Sequence, residues 1–341
     1  MFDLFIRFRV SRPARPSQSS ATPLKIAVDR EPVGQAPSKK TLKIDEVPRW
    51  YDVNPFIISG YRRESNSILG SLASWTYLHN ETCNIYSHLI PAVVSVFGQS
   101  LMYEHVRTRY LNLTTFDWSI LSLQLLTATV CLGVSTLYHT LLNHSPRVSH
   151  RWLHCDYFGI MTLILGNFIS GLHFGFYCDP TLKYTYWSLI LTLASATTAM
   201  LVSPWFQDPS WRTFRLMSFI FTGLSAFAPI GHGTLLWGPE FLTNIGVPYY
   251  LLEGLLLIIG CFFWEVRIAT SRSRIPPFDT NRARNLKRRA PERYFPGTFD
   301  IWGHSHTIWH MFVTLSIGAH IMGLLSALEY AYMRSSCRVA L

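Results

Sequence analysis

Apolar residues in this chain come in long runs rather than in alternation. Seven stretches, near 86 to 106, 117 to 141, 156 to 177, 184 to 204, 214 to 236, 248 to 270 and 304 to 333, are almost free of charge. Each is long enough to cross a bilayer core as a helix, which takes roughly 20 mostly apolar residues. Barrel strands would be roughly 10 residues long and would alternate polar with apolar. The pattern therefore predicts an all-α membrane protein, a seven-transmembrane helix bundle. Pro91, Pro204 and Pro229 lie within or at the ends of spans, where neighbouring helices can satisfy the freed carbonyls. The opening MFDLFIRFRV is too short and too charged for the apolar core of a signal peptide, so the first span is expected to act as the insertion signal.

The flanks read differently. Residues 1–49 are rich in Pro, Ser and charge, which predicts a disordered cytosolic tail. Residues 50–85 predict a cytosolic amphipathic segment, with Ile68, Leu72, Trp75 and Leu78 on one helical face against the membrane. Residues 86–333 form the seven-transmembrane domain of this reading, and residues 334–341 an outer tail.

Composition agrees with a membrane solvent: of 341 residues 49% are hydrophobic and only 15% charged. The net charge of +10 matters through its distribution. The first 85 residues carry 12 Lys and Arg, and further basic residues gather after the second, fourth and sixth spans, whereas the opposite loops are nearly bare. By the positive-inside rule the N-terminus is cytosolic and the C-terminus outside, in the plasma membrane or the endoplasmic reticulum. This is opposite to the orientation of G-protein-coupled receptors, so seven spans alone do not point to that class. The basic run from Arg282 to Arg289 reads as a positive-inside anchor on anionic lipid, worth about 1 kcal/mol per charge. Seven spans argue against a nucleic-acid patch there. Asn112-Leu113-Thr114 is a glycosylation acceptor on the predicted outer side, while Asn80-Glu81-Thr82 has the same pattern on the cytosolic side. The six cysteines contain no C-x-x-C pair, which argues against a thiolate zinc site. Only Cys178 and Cys337 fall on the oxidising side, and the strict geometry of a disulfide weighs against a bridge between them.

Ionisable residues inside spans are costly in hydrocarbon and mark functional sites by default. Ser135 and His139 end the second span, Asp156 begins the third, and His306 and His310 begin the last. With the N-terminus inside, these three ends share the inner leaflet. His306 and His310 are i and i+4 on a helix, as are Ser135 and His139, so each pair lies on one face. Three imidazoles around Zn(II) leave a fourth tetrahedral position open, the pattern of catalytic sites. An H-x-x-x-H pair alone is common on solvated helix faces. Here two helical pairs share one depth, where unpaired polar groups are expensive. His144, His150 and His154 are placed in a short solvated loop, and His173, His232 and His320 toward the outer half of their spans. His88 and His304 are nearer, but neither has an i+4 histidine, and Cys155 should face away from Asp156.

Three blocks, GYRRESNSILGSLASWTYLHNETCNIYSH, STLYHTLLNHSPRVSHRWLHCDYFGI and ERYFPGTFDIWGHSHTIWH, resemble the progestin and adipoQ receptor family, which includes the adiponectin receptors, fungal osmotin-receptor proteins and bacterial haemolysin III. The resemblance covers residues 60 to 333. It implies that His139, His306 and His310 bind zinc and that Ser135 and Asp156 contact or polarise the water that zinc carries. It gives Glu81, Asn84 and His88 a structural role. Thr307 departs from the glutamine that follows the first histidine in the adiponectin receptors, which alters the surroundings of the ligands without touching them.

Two functions of different class follow. One is a zinc-dependent amide hydrolase acting on a membrane lipid, which the resemblance to the adiponectin receptors implies is ceramide, with Asp156 as general base and then proton donor and Ser135 orienting the water or oxyanion. The other is a receptor or metal sensor in which zinc ties spans two, three and seven together, with a held water or Asp156 as the fourth ligand. The resemblance links fungal members to zinc and sterol homeostasis and to an extracellular protein ligand, so the expected partners are a membrane lipid, ceramide or sterol-like, and such a protein. The short outer loops exclude a large hormone-binding ectodomain.

Overall fold

The structure is a computed structural model that describes residues 40–51, 54–206, 208–264 and 289–333. The predicted disordered tail before residue 40, the basic run up to residue 288, and the outer tail with Cys337 lie outside the described residues. A two-stranded antiparallel ribbon comes first, β1 (Thr41–Leu42) on β2 (Tyr61–Arg62), with Thr41 opposite Arg62. Then follow α1 (Ile68–Ala73), α2 (Thr82–Arg109), α3 (Thr115–Leu141), α4 (Pro146–Gly175), α5 (Pro180–Val202), α6 (Arg212–Leu224), α7 (Phe227–Trp237), α8 (Pro239–Asn244), α9 (Val247–Trp264) and α10 (Ser305–Met333). Taking α6 and α7 as one crossing, seven helices among the described residues are long and apolar enough to span a bilayer. The chain is an integral, multi-pass membrane protein.

Local chemistry sets the helix starts. The Thr114 hydroxyl oxygen accepts the Asp117 amide hydrogen to open α3, and Asp179 accepts that of Leu182 to open α5, with Pro180 at the first helical position. Pro146 does the same for α4, directly after the extended Ser145. That start corrects two expectations. The third span begins ten residues earlier than its apolar run, so Asp156 sits in its third turn, and His150 and His154 lie on the helix rather than in a loop. Apolarity marks where a helix is in hydrocarbon, whereas Pro146 marks where it begins.

The fifth span is broken. Pro229 has no N–H to offer the Ser225 carbonyl four residues earlier, that carbonyl is taken by Ala228 instead, and α6 stops before α7 starts. The segment before the first span also differs from one amphipathic helix. Ser67 caps only the short α1, a single 3-10 turn covers Ser74–Thr76, and Tyr61–Arg62 is a strand. Ser65, Asn66 and Ser67 spend their hydrogen bonds locally and on residues 143 and 144, which leaves no continuous helix there. Ile68, Leu69 and Leu78 remain exposed apolar side chains at that end of the bundle.

In their most apolar stretches α3, α4 and α10 have half or more of their residues buried, while the other spans have fewer than a quarter buried. α3 and α4 approach closely because Gly166 faces Thr127, where a Cβ would stand 2.1 Å from the Thr127 Oγ1. Polar side chains inside gather into hydrogen-bonded clusters. At one end of the bundle Asp117 accepts from His173 Nε2 at 2.6 Å, Thr114 Oγ1 at 2.6 Å, Tyr177 at 3.0 Å and Tyr332 at 2.5 Å. Cys178, nearby in sequence, is disulfide-bonded, while Cys83, Cys131, Cys155 and Cys261 are free. At mid-depth Gln124, Asn167, Glu253, His320 and Ser170 close a hydrogen-bonded ring across α3, α4, α9 and α10, as groups cut off from water require.

Candidate metal centre

The opposite end holds the predicted histidines. The last turn of α3 supplies His139, and the first two turns of α10 supply His306 and His310. One ring nitrogen from each lies within 4.8 Å of the others, with His139 and His310 buried and His306 partly so. His139 Nε2 stands 3.2 Å from His306 Nε2. Two ligands on a tetrahedral ion, at 2.0–2.1 Å each, lie about 3.3 Å apart. This buried triad can hold a metal ion, and its all-imidazole donor set suits zinc.

The remaining predicted residues lie beside it. The Asp156 carboxyl lies close enough to Ser135 and His139 to interact with both. Ser135 Oγ is also 2.9 Å from His88 Nδ1, and the His88 ring stacks on His310 with centroids 3.8 Å apart and planes 6° from parallel. Cys155 is exposed and faces away. His304, the other near neighbour, meets the Asn80 carbonyl at 3.2 Å and Thr307 at 3.1 Å.

Sequence reasoning gave Glu81, Asn84 and His88 only a general structural role. The structure is more specific. Glu81 Oε2 is 2.8 Å from His139 Nδ1 and accepts from Asn84 Nδ2 at 2.7 Å. Burial pushes the Glu81 carboxyl up, but these bonds and the His139 and His304 imidazoles outweigh it and hold the group below the usual carboxylate range. The Asn84 carbonyl faces His310 Nδ1 at 3.1 Å, and its side-chain oxygen accepts from Thr307 at 2.7 Å. A signal existed: 81, 84 and 88 are polar at i, i+3 and i+7, one face of a helix entering an apolar span.

Arg62 supports the same histidine from behind. Its guanidinium is buried and donates to the carbonyls of His139 at 2.6 Å and Thr140 at 2.8 Å and to Ser74 Oγ at 2.9 Å. Those carbonyls are at the C-terminus of α3, where a cation is favoured. On the other side of the site, Glu292 accepts from Asn54 and from the Ser305 amide and hydroxyl at the start of α10. Asp300 accepts from the Ile58 and Ser59 amides and the Ser59 hydroxyl.

A bundle of seven spanning helices with a buried histidine triad at one end defines a multi-pass membrane protein with a metal-competent site. Residues 76–277 and 287–321 match the family described as haemolysin-III related. The chain is 32% identical over 308 residues to the ADIPOR-like receptor IZH2 of Saccharomyces cerevisiae, covering 89% of this chain and 90% of that relative. Against the adiponectin receptor protein of Drosophila melanogaster it is 30% identical over 306 residues, 89% of this chain and 63% of the relative. Heptahelical transmembrane protein 3 of Arabidopsis thaliana is 26% identical over 337 residues, 88% of this chain and 90% of the relative. The chain belongs to the haemolysin-III-related family, the group of the adiponectin receptors.

Proposed function

We propose that the chain is a zinc-dependent membrane hydrolase of the adiponectin-receptor type, cleaving the amide of ceramide or a related lipid. The observation that carries this reading is the convergence of three imidazole nitrogens within 4.8 Å next to a carboxyl–hydroxyl pair, Asp156 and Ser135. His139, His306 and His310 would hold the zinc, with one tetrahedral position left for chemistry. Bound zinc supplies a Lewis acid for the amide carbonyl and brings the pKa of a water to about 7. Asp156 takes the proton of the attacking water and returns it to the leaving amine. The Ser135 hydroxyl, fixed between Asp156 and His88, orients the water or the developing oxyanion. With the N-terminus cytosolic, as the charge asymmetry predicts, the site serves the cytosolic leaflet, where the lipid already lies.

The names of two relatives, the ADIPOR-like receptor IZH2 and the adiponectin receptor protein, favour a second reading, a receptor in which the metal is structural. One experiment separates the two. Zinc is measured by elemental analysis in purified wild type, His306→Ala/His310→Ala and Asp156→Ala, with fatty acid release from ceramide on the same samples. The hydrolase reading expects near one zinc per chain in wild type, none in the double variant, and in Asp156→Ala full zinc with turnover down by about 100-fold or more. Zinc with no hydrolysis in wild type, and a double variant that melts lower, would establish the structural reading instead.

A further inference from the structure

We infer that Glu81 and Asn84 together are a positioning device for the metal ligands, fixing the ring tautomers of His139 and His310 so that each turns a bare Nε2 to the ion. This rests on the metal reading above. The reasoning is a count of hydrogens. A carbonyl oxygen can only accept, so His310 Nδ1, 3.1 Å from the Asn84 carbonyl, carries the ring hydrogen. The second atom near that nitrogen, Ser87 Oγ at 3.2 Å, donates its own hydrogen to the same carbonyl and so also accepts from the ring. A neutral imidazole has one N–H, which leaves His310 Nε2 as a lone pair.

His139 follows by the same count. Its Nδ1 meets a carboxylate oxygen of Glu81 at 2.8 Å, so the hydrogen is again on Nδ1 and Nε2 is bare. Carboxylate–histidine–metal relays of this kind orient the ring and raise its basicity. Asn84 joins the two halves. Its amide donates to Glu81 at 2.7 Å, and its side-chain oxygen accepts from Thr307, next to His306, at 2.7 Å. Its backbone carbonyl takes His310. One residue of α2 thus ties the ligand of α3 to those of α10 through three separate atoms.

The test uses the full-length protein in detergent, wild type beside Glu81→Ala and Glu81→Gln. Zinc affinity is measured by competition with a chelator, the visible absorption of the cobalt(II)-substituted form is recorded, and metal-free samples are melted. The expected result is a 10–100-fold loss of zinc affinity in Glu81→Ala. Glu81→Gln, which keeps an acceptor oxygen, loses less. The cobalt bands of Glu81→Ala shift, while the metal-free melting temperature of Glu81→Gln, which keeps an acceptor oxygen for the network, stays close to wild type. Zinc affinities within twofold of wild type in both variants would overturn the inference. So would losses that are equal in both and track a fall in metal-free melting temperature, since that is a fold effect. If Glu81→Ala does not fold, Glu81→Gln decides: weaker zinc at unchanged metal-free stability supports the inference, and unchanged affinity sinks it. Wild type without zinc would remove the functional proposal itself, whereas wild type with zinc and indifferent Glu81 variants removes only this one.

Discussion

Arg62 is a charged residue that the chain buries at the end of the bundle rather than leaving at the lipid surface. Burial pulls its guanidinium below the ordinary range, and the oxygens of Ser74, His139 and Thr140 meet it. Arg62→Met strands two carbonyls of α3 away from water, and the expected cost is about 3 kcal/mol, read as a lower unfolding midpoint in detergent. Arg62→Lys should recover little of it, because an ammonium cannot reproduce the planar fork that reaches all three oxygens. The histidines were legible in the sequence through their i, i+4 spacing at span ends. Glu81 and Asn84 were legible only as polar residues on one helical face, because apart from each other the groups that define their role lie 58 to 226 positions away. No local pattern carries that information.

Elements show the same divide. All seven spans could be read from apolar runs, because each carries a stretch long and apolar enough to cross hydrocarbon. Two features escaped that reading: the early start of α4 and the break between α6 and α7. Both are set by a single proline rather than by apolarity. The closeness of α3 to α4 was also hidden, since a glycine in an apolar run says nothing about what faces it. It makes a sharp prediction now. Gly166→Val places branched carbons where Thr127 already stands, which costs about 1–3 kcal/mol or more in a packed interior. Folded yield should fall, and Thr127→Ala in the same chain should restore part of it. Wild-type yield and melting temperature in Gly166→Val would show that the two helices separate without penalty. The Asp117 clasp makes another: Asp117→Ala leaves His173, Tyr177 and Tyr332 without their shared acceptor. The melting temperature should drop while zinc content at the far end of the bundle stays unchanged.

At the scale of the molecule, the charge asymmetry predicts which end faces which compartment. Asn112 is exposed in the turn between α2 and α3, on the side assigned to the exterior. Expression in a eukaryotic host should give a glycosidase-sensitive mass shift that Asn112→Gln removes, and a tag added after residue 341 should be shielded from a cytosolic protease, whichever membrane holds the chain. A tag that protease cleaves only after the plasma membrane alone is permeabilised would reverse the orientation and move the histidine triad to the other face. The distribution of the site along the chain also has a consequence in time. His139 lies in the second span and His310 in the seventh, separated by about 170 residues, which a ribosome takes about ten to thirty seconds to add. Until the last helix enters the bilayer, His139 has neighbours such as Glu81, Arg62 and Asp156 but lacks the two imidazoles of His306 and His310. The nascent chain therefore cannot select its metal during synthesis. Any ion the triad holds must be bound by a finished bundle, and a chain truncated before Ser305 should leave the ribosome with no capacity to retain one.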